Sequence, residues 1–200
     1  MVERLGILGG TFDPPHIAHL ILAEMAREQL RLDRVLWVPA ADPPHKPGTV
    51  VAPIEHRLAM LRLALANNPD FEISLVDVER PGPHYSADML EIVYERYAQP
   101  ELIFLIGGDS LRDLPLWHQP WRVIQHAMLG VMQRTREEID LRALEQQIPG
   151  IIDRILPVDA PLIELSSNLI RSLRAQSRSI RYMVPAPIEA YISSHSLYCD

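Results

Sequence analysis

RLGILGGTFDPPHIAHLILAEMAREQL, residues 4–30, opens with a short apolar run closed by Gly9 and Gly10. From Ile17 to Leu30 it carries apolar residues at helical spacing, with Glu24, Arg27 and Glu28 on the other face. The change of period across two glycines predicts strand, turn, helix. Two glycines let the backbone bend sharply and approach a ligand. The helix behind them aims its free N–H groups and the positive end of its dipole at whatever lies there. That is a phosphate seat. His16 and His19 stand three apart near the helix start, on one face, where both can contact the same group. A lone histidine there reads as a packed or surface residue; two behind a double-glycine turn point to function. A zinc pair lacks an obvious third ligand, Cys199 being the only thiol.

The alternation continues outward. Val35 to Val38 is a second apolar run, stopped by Pro39, and Pro43, Pro44, Pro47 and Pro53 exclude regular structure until about Glu55. A long polar loop of this kind is more often functional than idle. Glu55–Asn67 has a helical period, Phe71–Val78 alternates like a strand, and Ser86–Tyr97 is helical with Ser86 as its N-cap. Leu102–Ile106, ended by Gly107 and Gly108, reads as a strand buried on both faces, and Ala127–Met132 as another. A helix is expected over about Glu137–Gln147 and a last strand over Ile151–Leu156. Ser166 or Ser167 caps a helix running to about Ala175, and Pro187–Ser194 forms a terminal one. Strands alternating with helices make an α/β chain whose economical fold is a parallel sheet with right-handed crossovers. Ligands of such sheets sit beyond the carboxyl ends of the strands. With no internal repeat and no linker, residues 1–200 read as one domain.

Composition narrows the function. Of 200 residues 48% are apolar and 22% charged, which is ordinary for a globular protein. Nineteen basic against 26 acidic residues give a net charge of -7, the wrong sign for a general binder of nucleic acid or of anionic membranes. A polyanion must therefore be held by a local site. No apolar run nears the roughly 18 residues needed to span a bilayer, and the start MVERLGILGG has an acidic residue and no small-residue cleavage site. One cysteine excludes an internal disulfide, and the expectation is a cytoplasmic enzyme.

GGTFDPPHIAH, residues 9–19, closely resembles the GG-x-F-D-P-x-H-x-G-H signature of the nucleotidyltransferase superfamily, and in particular the bacterial-type nicotinate-mononucleotide adenylyltransferases. Pro43-Pro44-His45-Lys46 resembles that family's PPH-K/R loop, and Gly107-Gly108-Asp109-Ser110-Leu111 with Trp117 its G-x-D-S-L…W segment. Ser166-Ser167-Asn168-Leu169-Ile170-Arg171 resembles I-S-S-T-x-I-R, and residues 179–185 resemble the tail that follows it. Three departures stand out: Ala18 for the glycine of H-x-G-H, Asn168 for threonine, and Ala40-Ala41 where some relatives carry asparagine.

The resemblance implies a Rossmann-like open parallel sheet with helices on both faces and a small C-terminal helical part, residues 166–200, that completes an ATP site. The implied reaction is attack of a mononucleotide 5'-phosphate oxygen on the α-phosphorus of ATP, which needs positioning and charge neutralisation more than covalent chemistry. His16, His19, Lys46 and Arg171 would be the catalytic cations and donors, with Arg171 forking to the β or γ oxygens. Gly9, Gly10, Thr11, Phe12, Gly107, Asp109, Ser166 and Ser167 would form the ATP site. Asp109 suits the ribose hydroxyls, although it could instead cap the next turn. Tyr85, Ser86, Trp117, Arg134 and His45 would hold nicotinate mononucleotide. Amides around Tyr85 and Ser86 would take its carboxylate, Trp117 rather than Trp121 would stack on its ring unless both are core, and Arg134 would take its phosphate unless it is a solvated surface residue. Mg2+ would travel with the triphosphate, no carboxylate cluster standing ready to cage it.

Rival readings are a superfamily transferase acting on another acceptor such as pantetheine phosphate, a GDSL-type esterase built on Ser110, and a non-catalytic nucleotide-binding module. The H-I-A-H string also resembles the H-I-G-H of class I aminoacyl-tRNA synthetases, which the acidic charge and the lack of room for a tRNA-binding domain disfavour.

Overall fold

A computed structural model describes residues 2–41, 52–132 and 139–199. Six parallel strands, β1 (Arg4–Gly10), β2 (Arg34–Pro39), β3 (Phe71–Ile73), β4 (Glu101–Gly107), β5 (Ala127–Met132) and β6 (Ile155–Val158), form one sheet in the order β3-β2-β1-β4-β5-β6. The helices are α1 (Ile17–Gln29), α2 (Ile54–Leu65), α3 (Ser86–Arg96), α4 (Gly108–Asp113), α5 (Pro120–His126), α6 (Leu141–Gln147), α7 (Ser167–Ala175) and α8 (Ala186–Ser194).

Strand alternation divides the core in two. Leu5, Ile7, Leu36, Phe104 and Leu129 pack with residues of α3, α5 and α6. Leu8, Val35, Trp37, Ile103 and Leu105 turn to the opposite face and pack with α1 and α2. Both faces of the central strands are thus covered, which is why their sequences read as continuous apolar runs. A third cluster joins Met60 of α2 to Ile170, Leu173, Ile188 and Ile192, and so fastens the C-terminal helices to the sheet domain.

Four expectations change. The strand expected over Phe71–Val78 ends at Ile73, because the chain turns at Leu75, whose carbonyl accepts from the N–H groups of Val78 and Glu79. Val76 is buried in that turn, so its apolar character served the core without extending the ladder. The strand expected over Ile151–Leu156 begins at Ile155, after a 3-10 turn over Ile152–Arg154. There the Glu145 carboxylate accepts from the N–H groups of Gly150 (2.7 Å) and Ile152 (3.1 Å). The helix expected from about Glu137 starts at Leu141, capped by Asp140, which accepts from Arg142 and Ala143 N–H at 3.0 Å each. Ser86 is the first helical residue of α3 and not its cap; Tyr85 takes the cap position. By contrast, Ser166 caps α7 through Leu169 N–H at 3.2 Å.

Candidate active site

The strand order reverses between β1 and β4, where the crossovers leave in opposite directions and a crevice opens at the carboxyl ends. A cavity of about 410 Å³ lies there, lined by Gly9, Gly10, Thr11 and Phe12 from β1 and its loop and by Gly107 at the end of β4. His19, Ser167 and Arg171 line it too, as do Ser86 and Trp117. The structure therefore brings residues expected on ATP and residues expected on the mononucleotide into one space. His45, Lys46 and Arg134 fall outside the described residues.

The sharp bend expected of the glycines is made elsewhere. Phe12 takes the left-handed conformation (φ 50°), while neither Gly9 nor Gly10 has a positive φ. At Gly10 a Cβ would stand 3.0 Å from two ring carbons of Phe12, so a side chain there would require the ring to give by a few tenths of an ångström. The Phe12 ring is buried, 5.2 Å from Trp37 and edge-on to His19 at 5.3 Å. It fixes the imidazole from one side.

His16 stacks on His19 from another, with ring centres 3.6 Å apart and planes 23° apart. His19 Nδ1 accepts the His16 backbone N–H at 3.2 Å, so a neutral His19 carries its proton on Nε2. His16 itself is 3% exposed and does not line the cavity, standing behind His19.

Arg171 is placed by α7. Its Nη1 donates to the Asp13 carbonyl at 2.7 Å and its Nη2 to the Asn168 side-chain oxygen at 2.6 Å. The asparagine that departs from the family pattern thus holds the guanidinium. Ser167 Oγ donates to the Pro14 carbonyl at 2.8 Å and Ile17 N–H to Met183 O at 3.0 Å, so these bonds, with that of Arg171 to Asp13, help tie the β1–α1 loop to the C-terminal part. Ser166 lies at the α7 cap and does not line the cavity.

Arg57, 2% exposed, was missed by the sequence reading. Its guanidinium donates to the carbonyls of Thr11, Ala40, Ala41 and Ala52 at 2.7–3.1 Å. One side chain thus ties the β1–α1 loop to the chain after β2 and to the chain before α2. A sequence signal existed: Arg57 shares a helical stripe with the buried Met60, Leu61 and Leu65, where a charge needs partners. Arg57→Leu is expected to lower the unfolding free energy by about 2–3 kcal/mol, measured by urea titration, since several buried carbonyls lose a charged donor.

At the other end of the cavity, Trp117 lies 6.2 Å from Phe104 in an edge contact, and Trp121 is exposed and outside the lining. Tyr85 does not line the cavity; its ring stacks on His118 at 4.0 Å. Arg80 donates to the Asp77 carboxylate and to the carbonyls of Pro83 and Tyr85, which fixes the approach to α3. The first amides of α3 receive no side-chain cap. Asp77 and His84 also line the cavity, a placement that no spacing in the sequence signalled. Asp109 is exposed in the first turn of α4, makes no side-chain cap and does not line the cavity.

A family model described as Cytidylyltransferase-like matches residues 7–173. A protein of Thermomicrobium roseum named "Probable nicotinate-nucleotide adenylyltransferase" is 51% identical over 98% of this chain and 92% of its own length. One of a Roseiflexus species with the same name is 44% identical over 97% of each. Among solved structures, the Plasmodium falciparum nicotinic acid mononucleotide adenylyltransferase complexed with NaAD superposes with a TM-score of 0.78 at 19% identity, covering 98% of this chain and 97% of that one. Gly9, Gly10, His19 and the C-terminal Arg171 around one crevice agree with kinship along nearly the whole length, and the chain belongs to the nicotinate-nucleotide adenylyltransferases of the cytidylyltransferase-like family.

Proposed function

We propose that this chain transfers the adenylyl group of ATP to nicotinate mononucleotide, giving deamido-NAD and pyrophosphate. The observation that carries the reading is the single cavity lined both by His19 and Arg171 and by Ser86 and Trp117. A phosphate oxygen of the mononucleotide bonds to the α-phosphorus as the bond to the bridging oxygen breaks, and pyrophosphate departs with the electron pair. His19 Nε2–H donates to the α-phosphoryl oxygens, where charge grows. Arg171 gives the β and γ oxygens its remaining N–H groups, and Gly9, Gly10, Thr11 and Gly107 let the nucleotide lie close to the backbone. The C-terminal segment 166–200 completes the ATP site through Arg171.

Mg2+ enters on the triphosphate in this account. Among the described residues two carboxylates line the cavity, and both have partners: Asp77 pairs with Arg80 at 2.8 Å, and Asp13 accepts from Tyr198 at 2.6 Å. Among the described residues no group of three or more potential ligands could hold a metal. No helix among them is long and apolar enough to cross a membrane. A cytosolic location accords with the exposed thiol of Cys199.

Arg171→Lys is expected to cut kcat/KM for ATP by at least about tenfold, because a point charge cannot keep both the Asp13 and Asn168 bonds and still fork to phosphate. Wild-type kinetics in that variant would make Arg171 structural. The reading as a whole is tested by pyrophosphate release with ATP against a panel of acceptors. Nicotinate mononucleotide is expected to lead, and a lead for pantetheine phosphate would replace the assignment.

A further inference from the structure

Asp13 is fully buried in the β1–α1 loop, and the interactions around it reach the far end of the chain. Its Oδ1 accepts the Tyr198 hydroxyl at 2.6 Å and the Ala52 N–H at 3.3 Å. Among the described residues its Oδ2 accepts no hydrogen bond; it faces Arg171 Nη1 at 3.5 Å, while the Asp13 carbonyl accepts from the same nitrogen at 2.7 Å. After α8, Leu197 N–H bonds back to Ile192 O at 3.0 Å, and Ser196 and Tyr198 both take the left-handed conformation, at φ 50° and 59°, which residues with a Cβ rarely adopt. Such a turn persists only where its surroundings fix it, and such strain gathers at functional sites.

We propose that Tyr198 is a positioning residue for adenylyl transfer: its hydroxyl holds the Asp13 carboxylate against Arg171, so that the C-terminal segment sets the guanidinium for the triphosphate. The inference rests on the assignment of Arg171 to ATP. An acceptor-only carboxylate presents both oxygens to whatever cations and donors surround it. With Oδ1 occupied by the phenol, Oδ2 is left to the arginine. Burial first, and then the neighbouring Asp13 carboxylate, push the phenol pKa far above its ordinary value, so the hydroxyl keeps its proton and remains a donor. Without that donor the carboxylate is no longer fixed in its orientation, and its pairing with Arg171 no longer sets the guanidinium for phosphate.

Tyr198→Phe removes the hydroxyl and keeps the ring. The proposal predicts a rise of about tenfold in KM for ATP, KM for nicotinate mononucleotide within about twofold of wild type, and a melting temperature within a few degrees. The decisive arm is a double-mutant cycle with Arg171→Ala, read as the ATP dissociation constant by titration calorimetry and as kcat/KM. In that background Tyr198→Phe should add nothing, whereas a merely structural tyrosine would cost the same factor in both. Equal costs in both backgrounds, or an unchanged KM for ATP in Tyr198→Phe, would overturn the proposal while leaving the reaction assigned. An Arg171→Ala variant with wild-type ATP affinity would remove the ATP assignment of Arg171, and this proposal with it. Asp13→Asn, which keeps an acceptor but loses the charge, should raise KM for ATP similarly, and an unaltered value there would also overturn the proposal.

Discussion

His19→Ala is expected to lower kcat by about two to three orders of magnitude while leaving the fold and the ATP dissociation constant close to wild type. The reasoning starts from the ring's fixed state. The His16 N–H on Nδ1, the stacked His16 ring and the edge of Phe12 hold the imidazole in place and leave the proton of the neutral ring on Nε2. A donor that is already oriented loses no reorganisation energy as negative charge builds on the α-phosphoryl group, and such a donor is worth about 3–4 kcal/mol in the transition state. Ground-state ATP gains less from it, so the loss falls on kcat. His16→Ala, which removes a support, is expected to cost less than His19→Ala. Steady-state kinetics with both variants check the order, and an unchanged kcat in His19→Ala would remove that residue from the mechanism.

The second large effect concerns the acceptor. Nicotinate mononucleotide is expected to exceed nicotinamide mononucleotide by roughly two orders of magnitude or more in kcat/KM. The N-terminal amides of α3, which no side chain caps, favour a carboxylate through charge-assisted hydrogen bonds and the positive end of the helix. An amide would turn an NH2 donor toward those donors and leave groups unpaired, at about 1–3 kcal/mol for each. Because the discrimination comes from backbone, Ser86→Ala should keep it. Trp117→Ala, which removes the ring stack, should weaken both acceptors together. Equal kcat/KM for the two mononucleotides would refute this pocket while leaving the chemistry at His19 and Arg171 in place.

Local signals carried the fold a long way. The runs at Arg4–Gly10 and Ala127–Met132, the cap at Ser166 or Ser167, which falls to Ser166, and the helical period from Ile17 are each written within a few neighbouring residues, and each became the element expected of it. Errors came where a short-range pattern served a different partner. Val76 alternates like a strand residue, yet it packs a turn into the core, and Ile152 lies in a 3-10 turn fixed by a carboxylate seven residues away. The short helices α4 and α5 were overlooked because six or seven residues show too little periodicity to register.

In the candidate site, Gly9, Gly10, His19, Ser167 and Arg171, which line the cavity, stand in stretches whose chemistry can be read from a few neighbouring residues. What supports them cannot. Arg57 meets carbonyls up to 46 residues away, and Tyr198 meets Asp13 across 185. Such contacts depend on the assembled sheet and leave no periodic trace, and the same is true of Asp77 and His84, which enter the cavity only because the chain bends after β3.

The central claim is that one cavity joins ATP and nicotinate mononucleotide through the α-phosphorus. Its most direct test is ATP radiolabelled at that phosphorus, incubated with the protein, Mg2+ and nicotinate mononucleotide, with separation of the products. The account predicts that the label appears in the dinucleotide, one equivalent for each pyrophosphate released, only when the acceptor is present, and at a rate sharply reduced in His19→Ala. Label recovered as AMP or ADP independently of nicotinate mononucleotide would contradict it.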